Sequence, residues 1–408
     1  MSTLPPPERL QVDRLQWMSL GVGVVTLLAC IIAAPFSPGQ FFRAYLSAYL
    51  FYLGIGLGCF GILMIYYLTG GAWGFLTRRL FEAGMRTLPL LAILFTPIAC
   101  GLTELYRWAQ PAAVTADKGL QHKKIYLNPE FFWGRATFYF ISWLVVAYFL
   151  NSWSRRQDET DDPALPRKLV RLSSLGLVLY GITITFASVD WIMSLQAAFH
   201  STIFGPVVAS GQLLSGFAFV MLLLAWLAGR PPLSNLISLE VLNDLGNLLL
   251  TLLVIWAYMV WFQFMLIWIA NLPTDVIWYV PRSRGGWQWV AWALFVLHFA
   301  IPFLLLLMRS VKRDPPSLAM TAGLILFMQL VFTYYQVMPA FVEARALSQH
   351  WMDFLTPLGV GGIWLAYFLR QLKRWPVLPQ HDVSREEAVH LRHIDVEQAA
   401  REEAVQHG

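Results

Sequence analysis

Apolar residues in this chain come in ten long runs separated by short polar stretches. The runs are Leu15–Ala34, Ala44–Thr69, Leu88–Tyr106, Phe131–Leu150, Leu169–Met193, Phe204–Ala228, Gly246–Ala270, Trp287–Met308, Leu318–Met338 and Met352–Leu369. Crossing the hydrocarbon core of a bilayer takes about 20 apolar residues at a helical rise of about 1.5 Å each. Lipid offers the backbone no hydrogen-bond partners, so each run must close its own bonds as a helix. The pattern predicts an all-α integral membrane protein with ten transmembrane helices. Residues 1–14 precede the first span, 15–370 form the polytopic domain, and 371–408 form a polar tail. An even number of spans puts both termini on one side.

Spans two to five and six to nine read as two copies of one unit. Ala44–Thr69 and Phe204–Ala228 run in the same direction, and both are rich in glycine in the half away from the terminal side. Spans four and eight both end in a basic cluster, Arg155-Arg156 and Lys312-Arg313. Matching orientations make the repeat parallel, about an axis along the membrane normal. This predicts two four-helix bundles side by side, over about 44–193 and about 204–338, with spans one and ten peripheral to them.

Composition fits a lipid solvent. Charged residues are 13% of the chain and hydrophobic residues 57%, where a soluble domain carries about 25% charged residues. The net charge of +5 resides in short loops rather than in a block, so it does not point to nucleic acid. Cys30, Cys59 and Cys100 stand singly in apolar runs with no CxxC pair, which argues against a zinc or iron–sulfur site on this chain. Met1 to Trp17 mixes acids, arginines and three prolines without a small-residue cleavage site, unlike a secretory signal. Most of the 29 lysines and arginines fall on the side of the termini, among them Arg78, Arg79, Arg86, Arg155, Arg156, Arg167, Lys168 and Arg171. The positive-inside rule then makes both termini cytoplasmic. Trp17, Trp108, Trp133, Trp153, Trp278, Trp287, Trp351 and Trp375 lie near span ends, as an interfacial belt requires. In the tail, Ser384 and Glu387 have the spacing of a capping box opening a short helix.

Chemistry is sought first among the few ionisable groups within or beside the spans. Span five carries Tyr180, Thr183, Asp190 and Ser194, which at helical spacing fall within about 80° of one another. Asp190, near the end away from the termini, reads either as an acid in a proton path or near a quinol headgroup, or as a cap of the turn before His200. His298 is the histidine deep within a span. It reads as a proton relay or as a structural imidazole bonded to a backbone carbonyl. The absence of paired intramembrane histidines argues against a bis-histidine haem. Glu104 and Arg107 close span three and can pair with each other or with Asp190. Asp244 opens span seven, either as an N-terminal cap or as a proton entrance. Asp244, His298, Asp190 and Glu104 together form the ladder that a transmembrane proton path requires.

Several strings carry a family resemblance. They are Tyr126-Leu-Asn-Pro-Glu-Phe-Phe, Ala187-Ser-Val-Asp-Trp-Ile-Met-Ser-Leu, Phe199-His-Ser-Thr-Ile-Phe-Gly, Asp244-Leu-Gly-Asn-Leu-Leu, Trp256-Ala-Tyr through Gln263-Phe, Asn271-Leu-Pro and Gly285-Gly-Trp-Gln-Trp. Over most of 15–370 the set resembles the second large membrane subunit of bacterial alternative complex III, the ActF-type quinone-binding subunit 2 of quinol:cytochrome c oxidoreductase. That family is similar to the NrfD-like membrane subunits of polysulfide reductases. The resemblance implies two four-helix bundles without a metal and a place in the bacterial inner membrane. It also implies a sister NrfD-like subunit, an iron–sulfur subunit and multihaem cytochrome subunits as partners. Haems and iron–sulfur clusters would belong to those partners, with a menaquinol or other quinol contact open for this chain. Asp190, His200 and Asp244 are the ionisable residues within the matching strings. Two other functions remain: a purely structural membrane anchor, and a secondary transporter, which would show broken helices in paired spans.

Overall fold

The computed structural model describes residues 12–160, 162–229, 237–341, 346–347, 349–376 and 378. The capping box at Ser384 and Glu387 lies outside the described residues, as do most of the N-terminal segment and of the tail. The described residues are helical and turn, with no strand among them. Among the described residues ten helices are long and apolar enough to cross a membrane: Asp13–Phe36, Pro38–Thr69, Ala72–Cys100, Pro129–Glu159, Ala164–Gln196, Phe204–Ala228, Leu239–Ala270, Trp287–Leu307, Pro315–Ala340 and Trp351–Leu372. The chain is a multi-pass integral membrane protein. Ile32, Leu175, Ile182, Trp268 and Phe327 on the perimeter are more than half exposed, as side chains facing lipid would be.

Spans two to five and six to nine form two four-helix bundles that meet along spans two and six. Those two helices are 89% and 72% buried along their apolar stretches, against 17% for span one. Their approach rests on two glycines. A Cβ on Gly58 would lie 1.9 Å from the Gln212 carbonyl oxygen, and one on Gly216 would lie 2.5 Å from the Cys59 nitrogen. Between helices already immersed in lipid the hydrophobic effect is spent, so close backbone packing of this kind supplies the attraction. Span one packs mainly on span ten, again through glycines: a Cβ on Gly23 would lie 2.5 Å from the Ile363 nitrogen. Lys373 at the end of span ten meets Asp13 at the start of span one at 2.5 Å, so the first and last spans share a face. We call it the near face and its opposite the far face.

Three spans differ from the apolar runs. The run predicts a third span from Leu88; the helix begins at Ala72, with breaks at Arg86–Thr87 and at Phe95. Arg78 and Arg79 are therefore helical and Arg86 stands in the turn that follows; all three pair with Glu82, and Asp158 of span four adds a second carboxylate at Arg79. At the second break Pro97 has no N–H for the Ile93 carbonyl, and the Thr96 hydroxyl donates to it instead at 2.8 Å. Tyr45 and Tyr49 of span two donate to the neighbouring Leu94 and Leu91 carbonyls at 2.7 and 3.0 Å. Span seven begins at Leu239 rather than Gly246 and is capped by Ser238, whose hydroxyl accepts from the Val241 N–H at 3.1 Å. Span eight widens to a π turn over Leu294–Ala300. Pro302 has no N–H for the His298 carbonyl, and in the widened turn the Ile301 N–H donates to the Val296 carbonyl five residues back.

Candidate functional site

All four polar residues of the span-five stripe are buried, and each has a neighbour. Asp190 is held by Arg135 of span four through two bonds, Nε–Oδ2 at 2.8 Å and Nη2–Oδ1 at 2.9 Å, and by the Tyr139 hydroxyl at 2.8 Å. The guanidinium also donates to the Tyr126 carbonyl at 2.9 Å and lies over the Tyr126 and Phe131 rings. A bidentate pair with a third donor is a closed charge-matched unit. The Ser194 hydroxyl donates to the Asp190 carbonyl at 2.5 Å and accepts from the Trp108 indole at 3.1 Å. It stands in the 3-10 turn after the helix, which has its last α residue at Trp191. Asp190 is thus neither a turn cap nor a partner of Glu104 or Arg107. Thr183 accepts from the Trp143 indole at 2.8 Å, and Tyr180 donates to Gln212 of span six at 2.9 Å.

Tyr180 leads to the centre of the molecule. Gln212 lines a cavity of about 30 Å³ at the seam of the bundles, with Ser215 from the same helix and Gln329, Thr333 and Gln336 from span nine. A water needs about 10–15 Å³ of such space and two to four polar partners, so one or two fit. Gln329 and Trp256 converge over Gly211, where a Cβ would lie 2.5 Å from Gln329 Nε2 and 3.6 Å from Trp256 Cδ1. The Trp256 ring in turn lies against His298 with centroids 3.9 Å apart and planes tilted by 40°. His298 is fully buried in the π turn, and neither ring nitrogen has a hydrogen-bond partner. The Trp256 indole nitrogen and Gln329 Oε1 lack one too. Buried polar atoms are ordinarily satisfied, so unmet donors and acceptors at one place point to water or a ligand there.

The remaining expected residues lie apart from this centre. Asp244 is exposed on the near face, five residues past the helix start, and is not its cap. Between Asp244 and Trp256 the helix rises about 18 Å. The facing interior there is Leu249, Leu253, Leu306, Ala322 and Ile325, all fully buried and apolar. Glu104 and Arg107 are both exposed, and no ion pair joins them among the described residues. The chain turns extended at Tyr106 between them, which removes the shared helix face. His200 is exposed, with Nδ1 at 3.9 Å from Asp275. The expected four-membered ladder is not continuous: Asp244 and Glu104 face outward at the surfaces and Asp190 is closed by Arg135.

Two buried cationic sites escaped the apolar pattern. Glu82 binds Arg78, Arg79 and Arg86 at 3.1, 2.6 and 3.0 Å, while Ser154 and Gln157 of span four complete the cluster. The spacing Arg78, Arg79, Glu82, Arg86 is the available signal, since it places all four within one helical neighbourhood. Arg282, in the loop before span eight, is buried over the Trp278 ring and donates to the Trp278, Tyr335 and Gln336 carbonyls. Burial lowers its guanidinium to about 9, so it keeps its charge at neutral pH. No single-residue signal marks it.

No family model matches this chain, and no curated protein is similar to it.

Proposed function

We propose that this chain is an integral membrane subunit of a quinol:electron-acceptor oxidoreductase of the alternative complex III type, where it moves protons and holds partner subunits together. The near face is cytoplasmic in this reading, as its excess of arginine and lysine requires. The partners are a sister NrfD-like subunit, an iron–sulfur subunit and multihaem cytochromes, which carry the redox groups. A quinol contact with this chain belongs to the same proposal.

The observation that carries the proton role is His298: an imidazole in the middle of span eight, buried, with two open nitrogens. From it a line of polar groups runs through Trp256, Gln329, the seam cavity and Gln212 to Tyr180. Gln329, Thr333 and Gln336 continue along one face of span nine towards the far face. Neutral amides and hydroxyls of this kind hold water without fixing charge, which suits proton exchange with that side. The apolar interior towards Asp244 closes the other side. Transfer across the whole bilayer then requires that interior to open during turnover.

Replacing His298 with leucine in the membrane-bound complex should lower the protons moved per electron while leaving the haem-containing partners bound. An unchanged ratio in a fully assembled complex removes His298 from the path. The anchor reading draws on the closed units at Asp190 and Glu82, which brace spans three, four and five. The transporter reading is disfavoured by where the helices are disturbed. Span three is the second helix of its bundle and span eight the third of the other, so the breaks are not paired.

A further inference from the structure

On the far face, between span five and the short helix Lys118–Lys123, lies a cavity of about 310 Å³ that the proton path does not use. Its size falls in the range of small-ligand sites, about 300–1,000 Å³. Three basic side chains line it: His122, Lys123 and His200. Lys123 donates one N–H to the Ala197 carbonyl, which leaves its other two. His122 and His200 are exposed at the mouth. Among the described residues no carboxylate lines the cavity; Asp275 stands 3.9 Å from His200 beside it, and Asp190 behind Ser194 is matched by Arg135.

The other wall is apolar, from Val189, Met193 and Phe199. Val189 continues down span five into Phe186 and Ile182, which share its helix face and are 46% and 53% exposed. Basic groups above and a lipid-facing apolar strip below fit an amphiphile with a charged head. Trp133, 43% exposed at the far-face start of span four and two residues before Arg135, lies near the same level. Tryptophans in membrane proteins mark the headgroup layer.

We propose that this cavity holds the phosphate of an anionic phospholipid from the far-face leaflet, with Lys123, His122 and His200 as donors and the acyl chain along Val189, Phe186 and Ile182. This does not depend on the redox reading. The test uses the purified full-length chain in detergent and measures lipid retention by native mass spectrometry. The probes are phosphatidylglycerol, a diacylglycerol with the same acyl chains, and inorganic phosphate. Phosphatidylglycerol should be retained over diacylglycerol. His200→Gln, which leaves the Lys123 brace intact, should weaken it, and K123Q with H200Q should weaken it at least about fivefold through the lost lysine charge. Lys123→Arg should restore binding. Equal retention of diacylglycerol, or full retention of phosphatidylglycerol in the double variant, overturns the proposal. Binding of inorganic phosphate at these residues without lipid retention also overturns it, in favour of a free anion.

Discussion

Asp190 and His298 show how differently one bilayer treats two ionisable side chains. Asp190 has its charge answered by Arg135 and Tyr139. Removing one half of a buried pair strands the other, at a cost of about 3–5 kcal/mol. Asp190→Asn should therefore lower stability by about 3 kcal/mol, the low end, because Arg135 keeps the Tyr126 carbonyl and two aromatic rings. Adding Arg135→Met to it should recover much of that loss in a thermal melt of the purified chain; a double variant as unstable as the single one would show that the pair itself is not the cause. His298 is the opposite case. No described protein group meets its nitrogens, and water at the seam does so in the proposed path. His298→Leu should then cost about 1 kcal/mol in a thermal melt, and an unchanged or raised stability would show that neither water nor a ligand holds the imidazole.

At the scale of the element, the helices are set by backbone contact more than by side-chain size. Gly58 and Gly216 allow spans two and six to touch, and no rotamer change can make room for a Cβ against a carbonyl at 1.9 Å. Gly58→Ala should force the helices apart and abolish a stable purified form. Gly181 in span five has nothing within 4 Å of a built Cβ, so Gly181→Ala should be neutral or gain up to about 1 kcal/mol of helix propensity. Size-exclusion profiles and melts of the two variants compare them directly; equal behaviour would mean that the seam is not what joins the bundles. The ends of the elements were less legible. Ser238, eight residues before Gly246 where the apolar run of span seven begins, opens the helix because its hydroxyl meets the Val241 N–H. Arg78, Arg79 and Arg86 read as loop residues because hydropathy counts each charge alone, whereas Glu82 and Asp158 pair with them in space.

For the whole molecule, the pairing of spans one and ten brings both ends of the described chain to one face. Reporter domains fused before span one and after span ten should give the same compartment signal, the cytoplasmic one; opposite signals would contradict the ten-span topology. Two bundles joined along a glycine seam also explain where a polar cavity can exist. It forms where Leu50, Phe51 and Gly54 of one bundle face Gln212 and Gln329 of the other.

Ten hydrophobic runs and their helicity follow from the sequence alone, because a bilayer imposes length and helicity on any chain that crosses it. The sequence also marks the span-five stripe and His298 as unusual, since charge and imidazole are rare among apolar residues. Which of these groups are paired was decided only in three dimensions. Asp190 finds its counter-ion 55 positions away in Arg135, and His298 finds none. Hydropathy registers what each residue prefers, whereas protonation and hydration depend on which neighbours the packing brings within about 3 Å.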